Sequence, residues 1–159
     1  GRLIRTPKGV DLEMKRTFRA PIEDVWASIT EPERTARWFG PWKGEGKPGG
    51  TIRYGMAFEE GDFESDMTIV ACEPPRFLAV SAVDEWGSWH LEAHLTEQDG
   101  TTTLRFIQHL DEKSEVGKVG PGWEYYLDNL VASRQETPMP DFKDYYPSQE
   151  EYYLGLKPA

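Results

Sequence analysis

Residues 122–134 read GWEYYLDNLVASR, and this segment decides the predicted fold. Its apolar side chains recur at intervals of three and four residues, which is the spacing of one face of an α-helix. The apolar positions are Trp123, Leu127, Leu130 and Val131, with Tyr126 at the edge of the stripe. Polar side chains occupy the opposite side, at Glu124, Asp128 and Asn129. Pro121 suits a first helical turn and Pro138 lies beyond the last turn, so the pattern predicts one amphipathic helix between them.

The residues before this helix, from 50 to 110, alternate between apolar and polar side chains, which predicts consecutive β-strands. Turn signals at Gly61-Asp62, Pro74-Pro75 and Asp99-Gly100 separate these strands. A run of strands followed by one long helix is typical of a domain in which the helix covers one face of an antiparallel sheet. The helical stripe then either packs as solid core or lines a cavity between the helix and the sheet.

Residues 11–19 predict a half-buried strand that carries one anomaly. Arg16 shares its side of the strand with the apolar side chains of Met14 and Phe18. An unpaired charge in that position would be costly. Arg16 therefore either pairs with a carboxylate or anchors an anionic group of a ligand.

Two short helices are predicted between this strand and the sheet. The first follows Ala20-Pro21, and the second starts at Thr30, which has capping-box spacing to Glu33. Three large aromatic residues then follow within one turn, at Trp38, Phe39 and Trp42. They either plug the end of the core or form the rim of a binding site, since aromatic side chains commonly line ligand pockets.

The chain has 159 residues and a formal net charge of −10. Its length suits one domain with a sizeable core. The negative charge repels phosphate backbones, so the composition argues against nucleic-acid binding. Cys72 is the only cysteine, which excludes an intramolecular disulfide and a cysteine-based metal site. No apolar run approaches a membrane span, so we expect a cytoplasmic protein with no membrane partner.

We divide the chain into a loose N-terminal arm (residues 1–10), one domain (residues 11–137) and a tail (residues 138–159). The tail is rich in aromatic side chains, among them Phe142 and Tyr153. Such a composition predicts that the tail packs on the domain or on a second subunit. A homodimer contact through the tail is therefore one of the alternatives.

Few residues form a pattern that carries chemistry. His90, Glu92 and His94 share one face of a predicted strand, but the two histidines would lie about 13 Å apart, too far for one metal ion. His109 has no identifiable nucleophile beside it, so we predict a structural role for it. The sequence therefore predicts no catalytic group, no metal site and no cofactor.

Short motifs follow one another in a characteristic order along residues 11–135. They are Arg16 with Phe18, Ala20-Pro21, Val25-Trp26, Pro32-Glu33, Trp38-Phe39-Gly40-Pro41, Pro48-Gly49-Gly50, Pro75, and Gly122-Trp123 followed by Leu127 and Leu130. In this order they resemble the branch of the START/Bet v 1-like superfamily named after homologues of the activator of Hsp90 ATPase. The resemblance implies an α+β helix-grip fold, in which a curved antiparallel sheet wraps around a long C-terminal helix and two short helices follow the first strand.

The resemblance also implies an apolar cavity between sheet and helix that binds a small hydrophobic or aromatic molecule. Arg16 and Tyr54 would hold a polar end of such a ligand. The predicted ligand-binding residues are Arg16, Trp38, Phe39, Tyr54, Met56, Met67, Trp89, Phe106, Trp123, Tyr126, Leu127 and Leu130.

Three further expectations accompany this prediction. Cyclases, aromatases and hydrolases belong to the same superfamily, so an enzyme using Arg16, Tyr54 or His109 is an alternative. A protein-interaction module resembling a co-chaperone is another. Finally, Gly117, Gly120 and Pro121 interrupt a segment that relatives often continue as helix, so we expect a loose front to the long helix that could gate the cavity.

Overall fold

The computed structural model describes residues 1–7, 9–55, 64–84, 87–110 and 115–157. Its strands are β1 (Arg2–Thr6), β2 (Gly9–Phe18), β3 (Trp42–Gly44), β4 (Thr51–Gly55), β5 (Glu64–Glu73), β6 (Phe77–Asp84), β7 (Gly87–Gln98) and β8 (Thr101–Leu110). Its helices are α1 (Ile22–Thr30), α2 (Pro32–Thr35), α3 (Val116–Gln135) and α4 (Glu150–Leu154), with a 3-10 helix at Phe142–Asp144. The described strands form one antiparallel sheet in the order β1-β2-β8-β7-β6-β5-β4-β3. None of the described helices is long and apolar enough to cross a membrane.

The curved sheet wraps around α3, so the predicted helix-grip fold is confirmed. Alternation along the central strands places Leu12, Met14 and Phe106 in the core shared with this helix. On the helix, Leu127 and Leu130 are almost completely buried. Removal of these apolar faces from water is the main force that holds the helix in the sheet.

The N-terminal segment belongs to the sheet, so the expectation of a loose arm was wrong. β1 pairs with β2 along its whole length, from Arg2 opposite Glu13 to Thr6 opposite Gly9. Leu3 is buried in the core. A polar segment with one inward apolar side chain is too short for periodicity to identify, whereas backbone pairing with a neighbouring strand orders it.

Helix α3 begins at Val116 and continues through Gly120 and Pro121, so the expected interruption of the helix was wrong. Pro121 lies inside the helix, where it has no N–H to donate to the carbonyl oxygen of Gly117. The ring of Tyr153 packs directly on the helix backbone at Gly120. Glycine is needed for this contact, because the Cβ atom of any other residue would lie 2.4 Å from the ring. The residues that suggested an interruption therefore allow close packing of the tail.

The tail covers the side of α3 that faces away from the sheet. Tyr153 is 1% exposed and its hydroxyl donates to Oε1 of Glu124 over 2.8 Å. The hydroxyl of Tyr145 donates to Oδ2 of Asp128 over 2.8 Å. Asn129, on the polar side of the stripe, is fully buried and its Nδ2 donates to the carbonyl oxygen of Trp38 over 3.4 Å. Helix α3 is therefore covered both by the sheet and by the tail. Its apolar stripe alone predicted burial of only one side.

The two short helices occur where they were predicted, but the capping box does not form. The N-cap of α2 is Glu31, whose side chain makes no capping bond, and the Thr30 hydroxyl instead donates to the carbonyl oxygen of Trp26 over 2.7 Å. Trp42, assigned to a turn by the sequence, begins β3 and lies opposite Tyr54 of β4. The aromatic turn, which carries Trp38, Phe39 and Trp42, is therefore joined to the edge of the sheet by backbone pairing.

Candidate ligand-binding cavity

A cavity of about 360 Å³ lies between the inner face of the sheet and the helices. The sheet lines it with Ile52, Tyr54, Met67, Ile69, Cys72, Leu78, Val80, Leu91, Ala93, Leu104 and Phe106. The helices and their connections line it with Trp26, Ile29, Thr30, Thr35, Trp38, Phe39, Trp42, Trp123 and Leu127. Clefts of about 300–1,000 Å³ with a mostly apolar lining are typical of small-molecule sites.

Phe39 is the centre of the aromatic part of the lining. Its ring is stacked on that of Trp123, with the centroids 6.2 Å apart and the planes at 6°. The rings of Tyr54 and Trp38 lie 5.9 Å and 5.8 Å from it in tilted arrangements. The turn that carries Trp38, Phe39 and Trp42 therefore lies between α3 and β4. Its aromatic rings pack against the core and also line the cavity.

Three indole N–H groups at this wall are satisfied within the protein. Nε1 of Trp38 donates to the carbonyl oxygen of Ser28 and Nε1 of Trp42 to that of Thr30, each over 2.8 Å. Nε1 of Trp123 donates to Oε1 of the buried Gln108 over 2.6 Å. Because these donors are already paired, the three tryptophans offer mainly apolar ring surface to the cavity.

A β-bulge in β5 brings Cys72 into the lining. Ile69 lies opposite Val80 and Ala71 opposite Ala79, so Val70 is an extra residue and is 58% exposed. A bulge shifts the alternation of side chains along the rest of its strand. Burial raises the pKa of the Cys72 thiol, which favours the unreactive protonated form. Period-two alternation alone places Cys72 on the outer face, so the sequence gives no signal for this contact.

The predicted ligand-binding residues occupy several different places. Trp38, Phe39, Tyr54, Met67, Phe106, Trp123 and Leu127 line the cavity. Tyr126 lies behind the lining against Phe39, with ring centroids 5.1 Å apart, and Leu130 is packed in solid core. Trp89 lies opposite Ala82 near the start of β7, away from the cavity lining. Met56 lies outside the described residues.

Arg16 is directed toward the polar side of α3 and not into the cavity. Its Nε donates to Oδ1 of Asp128 over 3.1 Å, and its Nη2 lies 3.2 Å from Oε2 of Glu124. Burial alone would raise the pKa of Glu124, but the Tyr153 hydrogen bond and the charge of Arg16 outweigh it and lower this pKa. Of the two roles considered for Arg16, the structure shows the ion pair with a carboxylate. This ion pair links β2 to α3.

His109 and Glu92 form a charged cluster on the outer face of the sheet. Nδ1 of His109 lies 2.7 Å from Oδ1 of Asp11, its Nε2 is hydrogen-bonded to Glu92, and Glu92 also contacts His94. Among the described residues, no group of three or more histidine, cysteine or acidic side chains is arranged to hold a metal ion. Of the three residues considered for catalysis, only Tyr54 lines the cavity.

Comparison with known sequences identifies one family. The profile of the family described as activator of Hsp90 ATPase homolog 1-like protein matches residues 19–133. The matched segment contains α1, α2, the aromatic turn and α3 as far as Ser133, and therefore most of the cavity. Comparison with curated proteins gives no match.

Solved structures with the same fold include CalU16 from Micromonospora echinospora, which is 28% identical with a TM-score of 0.77. That alignment covers 98% of this chain and 94% of CalU16. A protein from Bordetella parapertussis is 20% identical with a TM-score of 0.77, over 94% of this chain and 87% of its own. DynU16, described as a protein in the dynemicin biosynthetic locus, is 23% identical with a TM-score of 0.70, over 83% of this chain and 50% of its own.

Proposed function

This chain belongs to the activator of Hsp90 ATPase homolog 1-like family, and on that premise we propose that it binds a small, uncharged aromatic molecule in the cavity. The observation that carries the proposal is the combination of free volume and aromatic walls. About 360 Å³ lies beside the rings of Phe39, Tyr54 and Trp123. Such a space lies toward the small end of the usual range of ligand pockets, about 300–1,000 Å³.

The charges around the cavity favour an uncharged ligand. No lysine or arginine is among the described lining residues. Glu92 borders the space, but its carboxylate is bonded to His94 and His109 on the outer face. A carboxylate or phosphate group bound here would lose its hydration without gaining a positive partner. A free fatty acid is therefore a poorer candidate than a neutral molecule.

The shape of the walls favours an aromatic ligand. Flat rings pack well in offset or tilted arrangements against other rings, and each such contact contributes about 0.5–1.5 kcal/mol beyond area burial. Tyr54 is the one tyrosine among the described lining residues and suits contact with a neutral oxygen of the ligand.

A fluorescence titration tests the proposal directly, because Trp38, Trp42 and Trp123 surround the cavity. Neutral polycyclic aromatic compounds such as flavone should quench the tryptophan emission in a saturable way. Matched compounds that carry a carboxylate should bind more weakly by about tenfold or more, since their charge has no partner there. Absence of saturable quenching by every neutral compound would refute ligand binding, and equal affinity for the acids would refute the preference for neutral ligands.

Two substitutions on β7 locate the binding. Ala93→Phe places a ring in the cavity and should lower the affinity by about tenfold or more. Thr96→Phe makes a comparable change at an exposed position and serves as the control. If both variants fold and bind equally well, the ligand occupies another place. Circular dichroism and the urea midpoint show whether each variant is folded.

A further inference from the structure

A second, polar pocket of about 190 Å³ lies on the opposite side of the α1–α2 pair from the apolar cavity. Its lining comes from α1, from α2 and the turn after it, and from the end of α3. The charged members are Asp24, Arg34, Arg37, Arg134 and Glu136. Arg134 is distant in sequence from Arg34 and Arg37, so only the fold brings it beside them.

Asp24 holds two of the three arginines in place. Its Oδ1 accepts from Nη1 of Arg34 over 2.8 Å, and its Oδ2 accepts from Nη2 of Arg134 over 2.7 Å. Hydrogen bonds from Arg34 and Arg134 lower the pKa of Asp24, so this carboxylate is ionised at neutral pH. The carboxylate acts as a bridge that fixes two guanidinium groups beside the same pocket.

Arg134 is the most constrained of these side chains. Its Nη1 donates to the hydroxyl of the buried Ser28 over 2.7 Å, and its guanidinium lies 5.7 Å from the centroid of the Phe18 ring. A guanidinium held in one orientation loses little conformational entropy when it binds an anion. The site is thus partly preorganised before any ligand enters.

Arg37 supplies positive charge that is not used by the fold. It is exposed, and among the described residues its side chain has no recorded partner. The pocket lining has three guanidinium groups and two carboxylates. Glu31, outside the lining, lies 3.8 Å from Nε of Arg34 and balances part of its charge. Arg37 is therefore the guanidinium group that remains to attract an anion.

We propose that this pocket is a binding site for a phosphate group, either free phosphate or the phosphate of a small metabolite. Guanidinium groups match the geometry of phosphate oxygens and can each donate two parallel hydrogen bonds. Arg34 and Arg37 approach from one segment and Arg134 from another, so the oxygens of a tetrahedral oxyanion can be contacted from two directions. The volume is several times the ~30 Å³ that one water molecule occupies in the liquid, so an ion fits.

The site is separate from the apolar cavity, and the proposal does not depend on the proposed function. Both lie against the α1–α2 pair: Thr35 and Trp38 face the cavity, whereas Arg34 and Arg37 face the polar pocket. Phosphate binding and aromatic-ligand binding can therefore be measured and lost independently.

The test is a titration of the full chain with sodium phosphate at constant ionic strength, followed by amide NMR signals. We expect saturable shifts with a dissociation constant in the millimolar range or tighter, concentrated at Asp24, Ser28, residues 34–37 and residues 133–136. Sodium chloride at the same ionic strength should not reproduce them. Shifts that do not saturate, or that spread evenly over distant arginines, overturn the proposal.

Two variants with opposite expected signs sharpen the result. Arg37→Gln should weaken phosphate binding by about three- to tenfold, the loss of one charge-assisted hydrogen bond. Glu136→Gln should strengthen it by about two- to fivefold, since a like charge is removed from an exposed pocket. Arg5→Gln, at an exposed position in β1, makes the same charge change as Arg37→Gln and should leave binding unchanged. Equal affinity of Arg37→Gln and the unaltered protein overturns the proposal.

Glycerol phosphate distinguishes the two sources of the phosphate group. If it binds more tightly than inorganic phosphate, the pocket takes a phosphorylated metabolite, and if inorganic phosphate binds more tightly, the pocket takes the free ion. Failure of both ligands overturns the proposal and leaves the apolar cavity unaffected.

Discussion

The two faces of the sheet differ in the charge of their buried polar groups. Beside the cavity on the inner face, buried polar groups are neutral and paired, as Trp123 with Gln108 and as the Thr102 hydroxyl, which donates to the carbonyl oxygen of Ala20 over 2.7 Å. On the outer face the carboxylate of Glu13 is only 2% exposed and keeps its charge. The charged residue of the inner face, Arg16, pairs with Glu124 and Asp128 and lies outside the cavity lining. The described lining thus stays largely apolar.

Exposed arginines make the buried charge on the outer face tolerable. Arg2 and Arg105 each lie 2.7 Å from a different oxygen of Glu13, while their own side chains remain largely in contact with water. Burial alone would raise the pKa of Glu13, but hydrogen bonds from Arg105 and Arg2 outweigh it and lower this pKa. The outer face is therefore stabilised by ionic contacts and the inner face by apolar packing.

The largest expected effect comes from the packed part of the inner face. Leu130→Ala should lower the free energy of unfolding by about 3–5 kcal/mol, because Leu130 is completely buried and its removal leaves a new cavity. Leu127→Ala should cost less, about 2–3 kcal/mol, because Leu127 already borders free volume and has fewer contacts to lose. Urea unfolding of both variants measures the two losses in free energy of unfolding. Equal costs would mean that the cavity is filled by side chains in solution.

The next effect concerns the buried charge on the outer face. Glu13→Gln should lower the free energy of unfolding by about 1–3 kcal/mol near neutral pH, since it removes the partner of two arginines. Because the folded pKa is lowered, this stabilisation is present above the unfolded value near 4.3 and is lost as the pH falls through the folded pKa. The difference in free energy of unfolding between the unaltered protein and Glu13→Gln should therefore become smaller at acidic pH. Glu45→Gln, at an exposed pair, is the control and should change stability by less than about 0.5 kcal/mol.

The smallest effect has the opposite pH dependence and arises at His109. Burial alone would lower the pKa of His109, but hydrogen bonds from the ring to the carboxylates of Asp11 and Glu92 outweigh it and raise this pKa. The stabilisation is complete below the unfolded value near 6.5 and is lost as the pH rises through the folded pKa. His109→Gln should thus cost about 0.2–1 kcal/mol in mildly acidic buffer and less in alkaline buffer, since the ring is partly exposed.

Urea midpoints across the pH range measure this difference, with exposed His90→Gln as the control. A cost that grows with pH would contradict the assignment of a protonated His109 between two carboxylates.

Periodic elements of the chain were predictable, and non-periodic ones were not. The stripe of α3 and the alternation along β2, β7 and β8 follow from the spacing of apolar residues, and they place Trp123, Leu127 and Phe106 at the cavity. The bulge at Val70 leaves no mark in the sequence pattern, so Cys72 was missed as a lining residue. The arginine pocket was missed because Arg34 and Arg134 are distant in sequence.

The sequence by itself determined β2, the strands between residues 51 and 110, the two short helices and the apolar stripe of α3, because hydrophobic periodicity and turn residues act locally. It did not predict β1 or β3. Tertiary structure alone decided whether a side chain faces free volume, solid core or an ion pair. Arg16, Leu130 and Leu127 all share apolar positions in the pattern, yet one pairs with Glu124, one is fully packed and one lines the cavity. These outcomes depend on the atoms that approach from distant segments, and those atoms set both the local charge and the space left unfilled.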